Sequence, residues 1–367
     1  MKTKAAVMVE SNKPLEIQEF DLEAPKAGEV LIKYTASGIC HSDYSILHGV
    51  MAGKVPIILG HEGAGIVQEV GAGVTSLAPG DHVIAVLTPT CGKCVMCLED
   101  KPFLCSQMAR ILGTSKMLDG TTRFSQNGKP VYHMCALGTF SEYSVVHEGS
   151  LVKVGKDVPL EKVCLVGCGV TTGVGAAVNT ANVKEGSSVA VIGCGGVGLS
   201  IIQGARINGA KQIIAVDPVP EKRELAMSLG ATHTVDPFAE GGPIKQVKAL
   251  TGGLGVHYAF EALGRVDTTE QTWGMLRPAG RAIIVGMTDQ REKIKLSAKG
   301  LFAEKRIKGS GYGSSRPQQD IPRFVDWYLS GQLKLDEMIT KEIKLEDINQ
   351  AFEEMGRGEG ARSVIVY

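Results

Sequence analysis

SSVAVIGCGGVGLSIIQGARING, residues 187–209, passes from a β-branched run through GCGGVG into a segment with helical apolar spacing. A strand that stops in glycine and restarts as a helix is a β–α turn. Gly193, Gly195 and Gly198 then have separate duties: a tight turn, close approach of a pyrophosphate to the backbone, and close packing of helix on strand. Gly196 and Val197 complete a turn whose amides open the helix toward phosphate. The next apolar run, QIIAVDP, ends at Asp217, 19 residues past Gly198, where a carboxylate accepts hydrogen bonds from both adenosine ribose hydroxyls. That selects NAD as the dinucleotide. The other reading of Asp217 is an N-cap for the helix PEKRELAMSLG.

Outward from this turn, HTVDP, IKQVKALTG, VHYAFEAL, TTEQTWGML, GRAIIVGM and KRIKGSGYG continue the alternation of strand and helix. The expected fold class is therefore α/β, a doubly wound parallel Rossmann sheet of six strands. Upstream, GEVLIKYTASGI and EGAGIVQEVGAGV are short strands broken by glycine, the pattern of a barrel-like β domain. ARSVIVY adds a late strand.

At 367 residues and 44% hydrophobic content the chain has room for about two domains. Lysine plus arginine equals aspartate plus glutamate at 39 each, so no net field draws it to nucleic acid or an anionic membrane, and the partner expected is a small molecule. MKTKAAVMVESNKP carries no apolar core of a secretion signal, and no apolar run nears the ~18 residues of a spanning helix. A cytoplasmic protein is expected. In that reducing setting nine cysteines argue for metal rather than disulfide.

Four of the nine lie in TCGKCVMCLEDKPFLC, residues 90–105. Cys91, Cys94, Cys97 and Cys105 can wrap one tetrahedral zinc, and a closed four-thiolate shell leaves no position for substrate, so this ion is structural. An iron–sulfur cluster or uncoordinated thiols are the alternatives. Three more residues suit a second ion: Cys40 in GICHSD, His61 in GHEGAG and Cys168 in VGCGV. Taken singly, Cys168 reads as a small core residue and His61 as a loop histidine.

The segment GHEGAGIVQEVGAGV, residues 60–74, followed by PGDHV and then the four-cysteine lobe, resembles the zinc signature of the medium-chain alcohol dehydrogenases. The resemblance covers the whole chain and its long-chain, liver-type and class III-like branch. It implies a GroES-like catalytic domain over residues 1–170 with a structural-zinc lobe at 90–106. A Rossmann domain would span 171–310, and 311–367 would return to the catalytic domain, with the active site in a cleft. It implies a catalytic zinc on Cys40, His61 and Cys168 with an open fourth position, Glu62 counted with the metal set, and Asp43 orienting His61. Ser42 matches the hydroxyl that takes the alcohol proton; its other reading is a helix cap. His41, Thr172, Lys222 and Arg362 join the cofactor set, Arg362 at the pyrophosphate. Leu87, Met134, Cys135 and Met287 match the substrate pocket.

The resemblance thus implies an enzyme holding two zinc ions per chain that oxidises a primary alcohol, linear or aromatic, to an aldehyde with NAD. The alternatives are a thiol-adduct (S-hydroxymethyl) formaldehyde dehydrogenase, or a non-catalytic NAD-binding relative. Against glutathione itself, VMAGK (residues 50–54) lacks acidic residues, and Ala109 stands where a carboxylate-binding arginine is expected, with Arg110 one place later. Ser45 replaces the histidine that ends the proton relay of the animal liver enzymes. The retained segment from Cys105 to Tyr143 implies a homodimer, with a homotetramer as the other form.

Overall fold

The computed structural model describes residues 1–51, 53–289 and 291–367; Ala52, within VMAGK, lies outside the described residues. Two compact units are present, Met1–Cys168 with Arg316–Tyr367, and Gly169–Ser315. The turn Tyr312–Ser314 stays with the second unit, because a Cβ at Gly175 would lie 2.6 Å from the Gly313 carbonyl oxygen.

Among its described residues the second unit holds a six-stranded sheet in the order His233–Val235, Gln212–Val216, Ser188–Ile192, Val256–Glu261, Leu276–Ile284, Arg306–Gly309. All pairings are parallel. Ser188–Ile192 and Gln212–Val216 are buried along almost their whole length, as strands covered by helices on both faces must be, which is why they read as unbroken apolar runs. The chain order reverses between Ser188–Ile192 and Val256–Glu261, so the ends of those two strands form the crevice where such sheets take ligands. Helix Gly196–Ile207 starts on Gly195 and buries Leu199, Ile201, Ile202 and Ala205.

Among its described residues the first unit has a closed barrel of strands Lys2–Met8, Glu16–Leu22, Phe124–Gln126, Lys129–His133 and Ile57–Ile58. Beside it runs a seven-stranded sheet whose long central strand is Glu29–Gly38. That strand pairs with Glu62–Val70 and Tyr143–His147, and Gly38 lies opposite both Glu62 and Val364 of strand Arg362–Val366. Register therefore carries Cys40, His61 and Arg362 to one end of the sheet. Small residues make this end close-packed: a Cβ on Gly38 would sit 2.7 Å from Leu165 Cδ2 and 3.1 Å from Arg362 Nη2.

Candidate active site

Cys40 ends the extended backbone after Gly38 and is the N-cap of helix His41–Leu47. Asp43, in its first turn, is fully buried and makes three contacts: Cys40 N–H donates to Oδ2 at 3.0 Å, Gly60 N–H to Oδ1 at 3.0 Å, and His61 Nδ1 lies 3.1 Å from Oδ1. One carboxylate thus ties the helix start to the Gly60–His61 corner and leaves the other imidazole nitrogen free to ligate, the arrangement that fixes the tautomer of a metal-binding histidine. Ser42 does not cap the helix. Its Oγ lies 3.8 Å from Cys40 Sγ, an acceptor beside a ligand sulfur.

The ligand atoms of Cys40, His61, Glu62 and Cys168 all lie within 4.8 Å of one another and all four residues are buried. Such a set in an apolar interior needs a cation. The hydrogen bond from Cys168 holds Cys40 well below the ordinary thiol range, while Cys168 is pushed up by that same contact and by burial. Burial pushes the Glu62 carboxyl up to about 7, against the pull of Arg362, whose guanidinium pairs with it. Two thiolates and one imidazole are a zinc donor set. Arg362, assigned from the sequence to a pyrophosphate, is itself buried against Glu62, and its Nε has no hydrogen-bond partner among the described residues. The Glu62–Arg362 pair spans 300 residues and carries no local signal in the sequence.

Leu87, Met134 and Cys135 belong to one apolar cluster of the first unit, together with Ile39 and Leu59, the neighbours of Cys40 and Gly60. Cys135 has left-handed backbone at φ 55°, and burial pushes its thiol up to about 11. Met287 belongs to the second unit and is 66% exposed. His41 is exposed and lies edge-on to Tyr44. His48 stacks on Tyr44 with Nδ1 2.9 Å from its carbonyl oxygen, closing the helix end. Ala109 and Arg110 are exposed on helix Ser106–Thr114, Arg110 lining a cavity of about 550 Å³ with Lys93, Cys91 and His147 beside the four-cysteine lobe.

In that lobe the four sulfurs also fall within 4.8 Å of one another, with Cys91–Cys97 at 3.9 Å and Cys94–Cys105 at 4.0 Å. A tetrahedron with bonds of ~2.3 Å has edges of about 3.8 Å, so the set fits one zinc ion. Backbone amides of Ser106 and Cys97 point at Cys94 and hold its thiol down to about 5. The nine cysteines are all free of disulfides.

In the second unit Gly193 takes φ +93°, and a Cβ on Gly198 would fall 1.7 Å from the Gly193 carbonyl oxygen, so only glycine serves at either place. Asp217 Oδ2 accepts from Cys194 N–H at 2.8 Å and Oδ1 from Val219 N–H at 2.9 Å. The carboxylate thus reaches across the turn, and each oxygen keeps a lone pair for a ribose hydroxyl. Val219, not Asp217, is the N-cap of Pro220–Ser228. Thr172 is partly exposed in helix Gly169–Gly175, and Lys222 is partly exposed in Pro220–Ser228.

Residues 26–156 match the model of the alcohol dehydrogenase GroES-like domain, and residues 196–330 that of the zinc-binding dehydrogenases. The chain is 42% identical to S-(hydroxymethyl)glutathione dehydrogenase of Paracoccus denitrificans and 43% identical to alcohol dehydrogenase class-3 of Cereibacter sphaeroides, in both cases over 100% of each chain. The solved structure of benzyl alcohol dehydrogenase from Acinetobacter calcoaceticus is similar with TM-score 0.95 at 33% identity, covering 100% of this chain and 99% of that one.

Proposed function

We propose, from the premise that this chain belongs to the zinc-dependent medium-chain alcohol dehydrogenases and is class III-like, that it oxidises the primary carbinol of an S-hydroxymethyl thiol adduct to the S-formyl product. The enzyme is NAD- and zinc-dependent, and its substrates are small alcohols and aldehydes. The observation that carries the adduct is the full-length identity of 42% to a relative named for that chemistry. A linear or aromatic alcohol, first in the sequence reading, becomes the second reading. It draws on the apolar cluster of Leu87, Met134 and Cys135 and on the likeness to a benzyl alcohol dehydrogenase. Ala109 in place of an arginine favours a thiol other than glutathione.

In this reading the first unit is catalytic and the second holds NAD. Cys40, His61 and Cys168 hold the catalytic zinc, Cys91, Cys94, Cys97 and Cys105 the structural one, and Glu62 with Arg362 balances charge beside the first. When bound, zinc supplies Lewis acidity toward the carbinol oxygen and NAD an acceptor for the hydride. Asp43 keeps His61 in its ligating tautomer. Ser42 Oγ takes the hydroxyl proton and passes it outward without a histidine at Ser45. Leu87, Met134 and Cys135 keep water from the carbinol carbon, Asp217 holds the adenosine ribose, and the unsatisfied Arg362 Nε is a donor suited to an anionic group.

Among the described residues no single helix is long and apolar enough to cross a membrane. A cytoplasmic homodimer completes the proposal. The test compares NADH formation from formaldehyde mixed with each of several thiols against benzyl alcohol and hexanol. A thiol that raises kcat/KM with formaldehyde above both alcohols supports the adduct. Alcohols oxidised faster than every thiol mixture select the second reading.

A further inference from the structure

We infer that Glu261, fully buried at the end of strand Val256–Glu261, is a positioning residue that sets NAD affinity and release by fastening the loop beside the glycine turn. In the parallel register Glu261 lies opposite Ile192 on one side and Ile284 on the other, so it closes the strand next to the one that feeds Gly193. This is the point where the strand order reverses, the place where a dinucleotide lies in such sheets. The inference holds whichever alcohol is the substrate.

No lysine, arginine or histidine forms an ion pair with Glu261 among the described residues. Its charge is instead held by the loop that follows. Oε1 accepts from Leu263 N–H at 2.9 Å, Gly264 N–H at 2.9 Å and Thr268 Oγ1–H at 2.8 Å, and Oε2 accepts from Gly264 N–H at 3.1 Å. Its backbone carbonyl accepts from Val285 N–H at 2.9 Å and Gly286 N–H at 3.1 Å, while Ala262 N–H reaches back to the Ile192 carbonyl at 3.0 Å. One residue therefore draws two loops, 262–264 and 285–287, against the end of the strand.

The consequence falls on Leu263. A Cβ on Gly193 would meet Leu263 Cδ2 at 2.7 Å and Cγ at 2.8 Å, so this side chain lies directly on the first glycine of the phosphate turn. Its outer face is open, at 50% exposure, while Ile192 and Val216, which end two of the central strands, are buried. Behind it the packing allows no slack: a Cβ on Gly286 would lie 2.1 Å from Gly264 N and 2.6 Å from Glu261 Oε2, and one on Gly264 2.5 Å from the Met287 carbonyl oxygen. A loop fixed by charge-assisted hydrogen bonds on one side and glycine contacts on the other gives the turn a rigid apolar wall. Releasing the carboxylate frees that wall.

The bland role for Glu261 is to anchor helix Val266–Met275, whose first turns it also meets through Thr268. Binding separates the two. Glu261→Ala, Glu261→Gln and Thr268→Val are purified with zinc, and NADH binding is followed by fluorescence titration and its release by stopped flow, alongside melting temperature and zinc content. Gln keeps one acceptor but turns an N–H toward the Gly264 amide, so it is the partial variant. Expected are a rise in NADH Kd of about tenfold to a hundredfold for Glu261→Ala and a smaller rise for Glu261→Gln and Thr268→Val, the range for lost hydrogen bonds to a charged group. The rise is expressed mainly as faster release, with zinc content unchanged. If Glu261→Gln and Thr268→Val both bind NADH within about twofold of the native protein, the inference is overturned, whether or not Glu261→Ala folds and whatever happens to the melting temperature.

Discussion

Ser42 and Asp217 are the residues whose chemistry is most sharply testable alone. Ser42 Oγ lies beside Cys40 Sγ and caps nothing, so its hydroxyl is available for proton transfer. Ser42→Ala is expected to slow alcohol oxidation by about 10²-fold or more and Ser42→Thr to retain activity. An unchanged rate in the alanine variant, read where hydride transfer limits turnover, would remove Ser42 from the proton path. Asp217 is expected to disfavour NADP, because a 2′-phosphate would displace one accepted hydroxyl and bring a like charge to the carboxylate; the expected preference for NAD is at least about tenfold. Arg223, next to Lys222 on the same helix, is committed to the backbone: its Nη1 donates to the Asp217 and Pro218 carbonyls at 2.7 and 2.9 Å. Lys222 is the remaining candidate to meet that phosphate. Asp217→Gly should thus weaken NAD use and raise NADP use, and Asp217→Gly with Lys222→Ala should lose that gain. The ratio of kcat/KM for the two cofactors checks both.

The four-cysteine lobe shows what can be read at the scale of an element. Its sulfurs sit on a short loop, so spacing alone identified all four ligands, and the helix Val95–Leu98 between them is too short to stand without the ion. Cys94→Ala should lose one zinc per chain by metal analysis and lower the melting temperature, while Cys40→Ala loses the other zinc and turnover but stays folded. If the Cys94 variant keeps native zinc content, the lobe does not hold an ion. The parallel sheet was equally legible, because Ser188–Ile192 and Gln212–Val216 are unbroken apolar runs bounded by glycine and aspartate. The small barrel was legible only as a type of domain. Strands such as Ile57–Ile58 and Phe124–Gln126 are too short to show a period, and their pairing is fixed by contacts far along the chain. The same distance hid the Glu62–Arg362 pair; the loop clamp of Glu261 is local, but its partners Leu263, Gly264 and Thr268 carry no motif.

For the molecule as a whole, one contribution to acid stability comes from a group outside the reaction. His133 is fully buried on a barrel strand, T-shaped to Phe124, with neither ring nitrogen hydrogen-bonded among the described residues. Burial, with the nearby Arg123 charge adding to it against a weaker opposing pull from Asp119, pushes its pKa down to about 3. An unfolded histidine titrates near ~6.5, so above that pH neither state gains a proton and the contribution is neutral. As pH falls from about 6.5 toward 3, the unfolded chain takes a proton that the folded one refuses, and stability declines through that window. His133→Leu should lose little at neutral pH and lose less than the native protein on acidification. Parallel melting curves for the two proteins from pH 7 to about 4 would refute this. The division of the chain has a different reach. Strand Arg362–Val366 pairs with Glu29–Gly38, and the unit they share is interrupted by Gly169–Ser315. On a ribosome the inserted unit is the first whose residues are all present. Cys40, His61 and Cys168 emerge long before Arg362, so a nascent chain carries the full thiolate and imidazole set while Glu62 still lacks its guanidinium. The order of translation thus separates the emergence of the ligand set from the completion of the sheet around it, which waits on the first unit's strand Arg362–Val366.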